Sequence, residues 1–101
     1  MSTNAVIRVE GLGGIEAYKH YDGYPSGTLP WLQQFNSTFT RERGDDPAYK
    51  MAQLMRSSFA VKEEFDLDPS TTTGWGIDTE GSFLWDYLYI LRRDGTVEVQ
   101  S

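Results

Sequence analysis

Read from the N-terminus, polar and apolar positions first alternate with a period of two. Ala5, Ile7 and Val9 fall on one side and Arg8 and Glu10 on the other, which predicts a strand. Gly11-Leu12-Gly13-Gly14 is a turn, and Ile15 to Tyr21 is a second strand, so the two make a hairpin. The period then lengthens. Thr28 as cap and Pro30 in the first turn open a helix whose stripe is Trp31, Leu32, Phe35 and Phe39, and Gly44 stops it. Asp46-Pro47 reads as an N-cap followed by a first-turn proline, opening a second helix with Ala48, Met51, Ala52, Met55 and Phe59 on one side.

From Val61 the period returns to two. Val61, Phe65 and Leu67 oppose Lys62, Glu64, Asp66 and Asp68, which predicts a strand that Glu63 interrupts on its apolar side. Thr71 to Ile77 is strand-prone. Phe83 to Leu91 is apolar on both sides, which predicts a strand in the interior of a sheet. Asp94-Gly95 signals a two-residue hairpin into a last strand, Thr96 to Gln100. The predicted order is β-β-α-α-β-β-β-β. Strands segregated from helices imply an α+β fold, an antiparallel sheet with two helices packed on one face. A chain of 101 residues makes one domain, 1–101.

Charge and composition narrow the function. Nine basic against fifteen acidic residues leave a net charge of −6, which opposes direct nucleic-acid binding through phosphate contacts. Glu63, Glu64, Asp66 and Asp68 concentrate acid in one stretch; they are a solvated strand face or, more sharply, a surface for a partner protein with basic character. Cysteine is absent, no basic and apolar leader opens the chain, and no apolar run reaches membrane-spanning length, so a cytoplasmic location is expected.

Candidate chemistry is sparse. The only histidine, His20, shares a strand side with Asp22, a pairing that can orient an imidazole as a general base. The structural alternative is a strand ending in an Asp22-Gly23 turn stiffened by Pro25. No cysteine and no Gly-x-Ser-x-Gly elbow supplies a nucleophile. One histidine excludes the usual zinc sets, and Asp66-Leu67-Asp68 has Thr71 and Ile77 where a calcium loop needs Gly and Glu. Neither a metal nor a cofactor is expected. Trp75, between two glycines, and Tyr24 are candidate interface anchors.

The stretch His20-Tyr21-Asp22-Gly23-Tyr24-Pro25-Ser26-Gly27 resembles the hallmark of a group of short uncharacterised proteins of bacteriophages, prophages and archaea. Ala5 to Val9, Leu29-Pro30, Asp46-Pro47-Ala48-Tyr49, Thr72-Thr73-Gly74 and Asp86-Tyr87-Leu88-Tyr89 are similar to the layout of that group. The chain departs from it between Gly74 and Asp86, where Trp75 to Trp85 stand in place of a short Gly- and His-containing turn. The resemblance implies a fold and a viral or mobile-element origin, and no mechanism.

Three functions follow as expectations. One is a non-enzymatic phage accessory protein that binds a host protein, for instance an inhibitor of a CRISPR or other defence nuclease, through Glu63, Glu64, Asp66, Asp68, Trp75 and Tyr24. Another is a small hydrolase centred on His20 and Asp22. The last is a self-associating structural or assembly protein, pairing as a homodimer through an edge strand at Ala5–Val9 or Thr96–Gln100.

Overall fold

The computed structural model of the protein describes residues 3–20, 23–60 and 74–101, with the backbone alone at 58–60. The elements run β1 (Ala5–Val9), β2 (Ile15–Lys19), α1 (Pro25–Arg43), α2 (Pro47–Ala60), β3 (Trp75–Thr79), β4 (Tyr87–Leu91) and β5 (Val97–Gln100). The class is α+β. The strand expected at Val61–Asp68 lies outside the described residues.

The five strands form one sheet in the order β3-β2-β1-β4-β5. It is mixed and not antiparallel throughout: β1 runs parallel to β4, Ala5 beside Tyr87 and Val9 beside Leu91, while the other three pairings are antiparallel. The cause lies in residues 80–86. The alternating apolar run predicts a strand from Phe83, but the ladder begins only at Tyr87. The preceding residues cross from the β3 edge, past β2 and β1, to the far side of β1. Phe83 stacks on Tyr18 of β2 with ring centroids 4.5 Å apart. The Asp86 carboxylate accepts from the Asn4 N–H at 2.9 Å, and the Asp86 and Tyr87 N–H groups both donate to the Asn4 carbonyl. A crossover of this kind returns β4 in the same direction as β1. β4 is nevertheless interior, with Leu88, Tyr89 and Leu91 buried.

β1 is therefore the central strand, and the edge role expected for Ala5–Val9 does not hold. Its odd residues Ala5, Ile7 and Val9 join Ala17, Tyr89 and Leu91 on one sheet face, and Leu32 of α1 with Met51 and Leu54 of α2 complete the same core cluster. Both helices thus pack on one face. Completely burying a Leu or Ile side chain contributes roughly 1.5–3 kcal/mol, and this cluster is the main source of stability.

α1 begins three residues before the expected cap. Pro25 occupies the first helical position after Tyr24, whose extended backbone suits a residue preceding proline. Thr28 is then inside the helix and buried, its N–H bonded to the Tyr24 carbonyl at 2.9 Å. Pro30 is accommodated within the helix. The C-terminal stop follows the sequence: Gly44 lies at φ 72° and donates its N–H to Thr40. Asp46 caps α2 through its carboxylate, which accepts from the Tyr49 N–H at 3.1 Å. The last hairpin has a three-residue loop in place of the expected two: Arg92 and Thr96 pair, and Gly95 at φ 94° closes the turn onto the Arg92 carbonyl.

Candidate functional site

His20, just beyond β2, is bonded through both its ring and its backbone. Tyr18 and His20 project from the same side of β2, and the Tyr18 hydroxyl lies 2.7 Å from His20 Nδ1. The His20 N–H donates to the Gly74 carbonyl at 2.8 Å. The imidazole is thus engaged by a phenol that is itself stacked on Phe83. Asp22, its expected partner, lies outside the described residues, as does Tyr21. Gly23 is packed closely against the start of β1. Its N–H donates to the Thr3 carbonyl at 2.9 Å, and a Cβ there would sit 2.8 Å from that oxygen and 2.9 Å from the Asn4 carbonyl carbon. Its own carbonyl accepts from the buried Tyr89 hydroxyl at 2.6 Å. Burial pushes that hydroxyl up to about 12, with neighbouring Tyr87 adding to the effect. Glycine is required at 23 because its backbone is pressed against Thr3 and Asn4, just before β1.

Of the expected contact residues, Glu63, Glu64, Asp66 and Asp68 lie outside the described residues. Trp75 is half-buried, edge-on to Trp31 of α1 at 5.7 Å between centroids. Tyr24 is exposed, its ring 6.2 Å from that of Tyr87. The structure therefore does not join Trp75 and Tyr24 into one cluster. Among the described residues, no three His, Cys, Asp or Glu side chains converge as metal ligands. No described helix is long and apolar enough to cross a membrane.

Two arrangements on α1 carry more. The residues α1 buries are Thr28, Leu32, Asn36 and Phe39. That row puts Trp31 and Phe35 on a flank instead of at the centre of the stripe. There they line an open groove of about 540 Å³ between the helices, with Phe39, Glu42, Arg43 and Tyr49. The rings form a ladder: Phe35 stacks on Phe39 at 6.1 Å, and Phe39 meets Tyr49 at 6.0 Å. Cations already rest on it. The Arg43 guanidinium lies 4.0 Å above the Tyr49 ring, and the Lys50 ammonium 5.6 Å from the Phe39 ring.

The opposite flank faces the β4–β5 hairpin. Asn36, fully buried, donates both amide hydrogens, to the Arg92 carbonyl at 2.9 Å and the Thr96 carbonyl at 2.8 Å. Lys50, buried on α2, reaches the same Arg92 carbonyl at 3.3 Å. Burial lowers the Lys50 ammonium pKa, against the opposing pull of Asp45, Glu10 and Asp94. On the second sheet face, acids are consumed by arginines. Arg8 binds the buried Glu16 at 3.1 Å and Glu80 at 3.5 Å, and Arg92 binds Glu10 at 3.3 Å and Glu98. The hydrogen bond from Arg92 is the main reason the Glu98 carboxyl lies below the usual range.

The groove was hidden in the sequence because Trp31, Phe35 and Phe39 repeat every four residues and read as core. The available signal was the parallel row Thr28, Leu32, Asn36, Phe39, which competes for the same inward side. No family model matches the chain, and neither a curated protein nor a solved structure matches it.

Proposed function

We propose that the chain is a non-enzymatic protein-binding module that engages a basic segment of a partner protein through the aromatic groove between α1 and α2. The observation that carries this reading is the groove in which Trp31, Phe35 and Tyr49 keep ring surface exposed over the buried Phe39, with the chain's own Arg43 held over Tyr49. Stacked ring faces attract guanidinium groups, so an arginine from a partner can take the place Arg43 occupies. Net charge of −6 favours encounter with a basic surface. The partner class we favour is a host protein met by a phage or mobile-element accessory protein in the cytoplasm. A CRISPR or other defence nuclease fits that chemistry, because nucleic-acid-binding proteins carry basic surfaces.

The hydrolase reading has less support, because Asp22, the partner expected for His20, lies outside the described residues and His20 Nδ1 is bonded to Tyr18 instead. Its variant, His20→Ala, is expected to change stability and no turnover.

The binding reading is tested by capture from bacterial lysate with the tagged native chain, Tyr49→Ala, and charge reversal of Glu63, Glu64, Asp66 and Asp68. A defined partner retained by the native chain and lost by Tyr49→Ala supports the groove. Retention by Tyr49→Ala with loss on the acid reversal would move the contact to the acidic stretch.

A further inference from the structure

The two edges of the sheet are finished differently, and the difference concerns β5. On β3, the His20 N–H bonds the Gly74 carbonyl and the Glu80 N–H bonds the Gly14 carbonyl. With the β2–β3 register, those bonds turn Trp75, Ile77 and Thr79 outward. This edge is closed to a further strand at one end. The outward Thr79 N–H is taken at 2.7 Å by the Asp78 carboxylate, and the Thr79 hydroxyl lies 2.7 Å from that of Ser82. A carboxylate lying on the edge repels an incoming backbone carbonyl.

Among the described residues, β5 meets no such device. The Arg92 N–H bonds the Thr96 carbonyl at 2.9 Å, which makes that pair a hydrogen-bonded one. The pairings Ile90 with Glu98 and Leu88 with Gln100 repeat it every second residue. Thr96, Glu98 and Gln100 therefore direct their backbone groups to β4, and Val97, Val99 and Ser101 direct theirs to the outside of the sheet. Residues 97–101 hold no proline, lysine or bulge. Their one charge, Glu98, is drawn onto the sheet face by Arg92 and by Gln100 Nε2 at 2.7 Å. Beside this edge a polar hollow of about 540 Å³ runs along α1, lined in part by Gln33, Ser37, Arg41 and Val97.

We propose that β5 is the seam of a homodimer, in which a second copy adds its β5 antiparallel about a two-fold axis through Val99. Outward groups must meet outward groups, and two central registers allow that. One sets Glu98 directly opposite Glu98 of the second copy, and like charges so placed are destabilising. The other sets Val99 opposite Val99 and Glu98 opposite Gln100, a pair that already hydrogen-bonds within the strand. The second register makes about six backbone hydrogen bonds across the seam and joins the two sheets into one. It uses none of the groove residues between α1 and α2 and stands or falls separately from the binding reading.

The chain's lack of cysteine makes the register directly readable. Val99→Cys, Glu98→Cys and Ile77→Cys are each oxidised over a range of protein concentrations. A hydrogen-bonded antiparallel pair places Cα atoms about 5.5 Å apart, within disulfide range. The expected result is a covalent dimer from Val99→Cys that increases with concentration, and none from the other two. Cross-linking of Glu98→Cys in its place, or equal cross-linking of Ile77→Cys, would overturn the proposal. Val99→Pro adds an independent arm. Its missing N–H faces outward, so the β4–β5 ladder is kept, and its helical and sheet circular dichroism should match the native chain. Sedimentation velocity should show the native chain associating with concentration and Val99→Pro remaining monomeric. A native chain that stays monomeric at millimolar concentration would also overturn it.

Discussion

The two flanks of α1 use similar raw material in opposite ways. On the hairpin flank, Asn36 spends both amide hydrogens on Arg92 and Thr96, and Lys50 adds a third bond to the same knot. On the groove flank, Trp31, Phe35 and Tyr49 keep ring surface open to solvent. Both Asn36 amide hydrogens are used within the fold, which identifies that amide group as structural. The aromatic surface left open in the groove is the surface that the proposed recognition would use. The difference is that the hairpin flank is closed by hydrogen bonds and the groove flank is left partly open.

Substitution can break that contrast, and the hairpin flank should respond most. Asn36→Leu leaves the Arg92 and Thr96 carbonyls without its donors and loses about 2–3 kcal/mol, measured by urea denaturation. Gly23→Ala, forcing a Cβ to 2.8 Å from the Thr3 carbonyl, should lose about 2 kcal/mol in the same assay.

Lys50→Met should be neutral or stabilising by up to about 1 kcal/mol at pH 7, because it removes a buried charge while Asn36 still serves the Arg92 carbonyl. The pH dependence carries the sign. Burial lowers the Lys50 pKa, so the folded chain binds fewer protons there, and the native chain should gain on Lys50→Met as pH rises toward 10.5. Tyr89 acts in the opposite sense. With its pKa raised from 10.0 to about 12, its contribution is complete below pH 10 and is lost between pH 10 and 12, an alkaline loss that Tyr89→Phe should remove. On the groove flank the effect on stability should be smallest: Tyr49→Ala, at a site 38% exposed, should cost less than about 1 kcal/mol.

Local signals made much of the fold legible. Gly44, Asp46 and Pro47 end one helix and begin the next because caps are decided by neighbouring backbone groups. The alternation of β1 survives because its odd side faces the helices. The start of α1 misled because Pro25 and Pro30 are both compatible with a first turn, and the packing of Gly23 against Thr3 goes with the start at Pro25. Phe83 misled for another reason. An apolar alternation reads identically whether it is a strand or a crossover clamping Tyr18, and the parallel pairing of β1 with β4 is a long-range choice. In the candidate site, His20 was visible because it is unique, but its bond to Tyr18 was not, because that pairing depends on the side-chain geometry of β2. The groove was not visible because a four-residue aromatic repeat looks like a core.

The groove reading is tested most directly by filling each flank of α1 in turn. Thr38→Trp places an indole in the groove, and Gln33→Trp places one on the hairpin flank; both sites are exposed, so both variants should fold. Partner capture by the two variants is compared with the native chain at matched folded concentration. Loss of the partner with Thr38→Trp and its retention with Gln33→Trp is the predicted result. Retention with Thr38→Trp and loss with Gln33→Trp would contradict it.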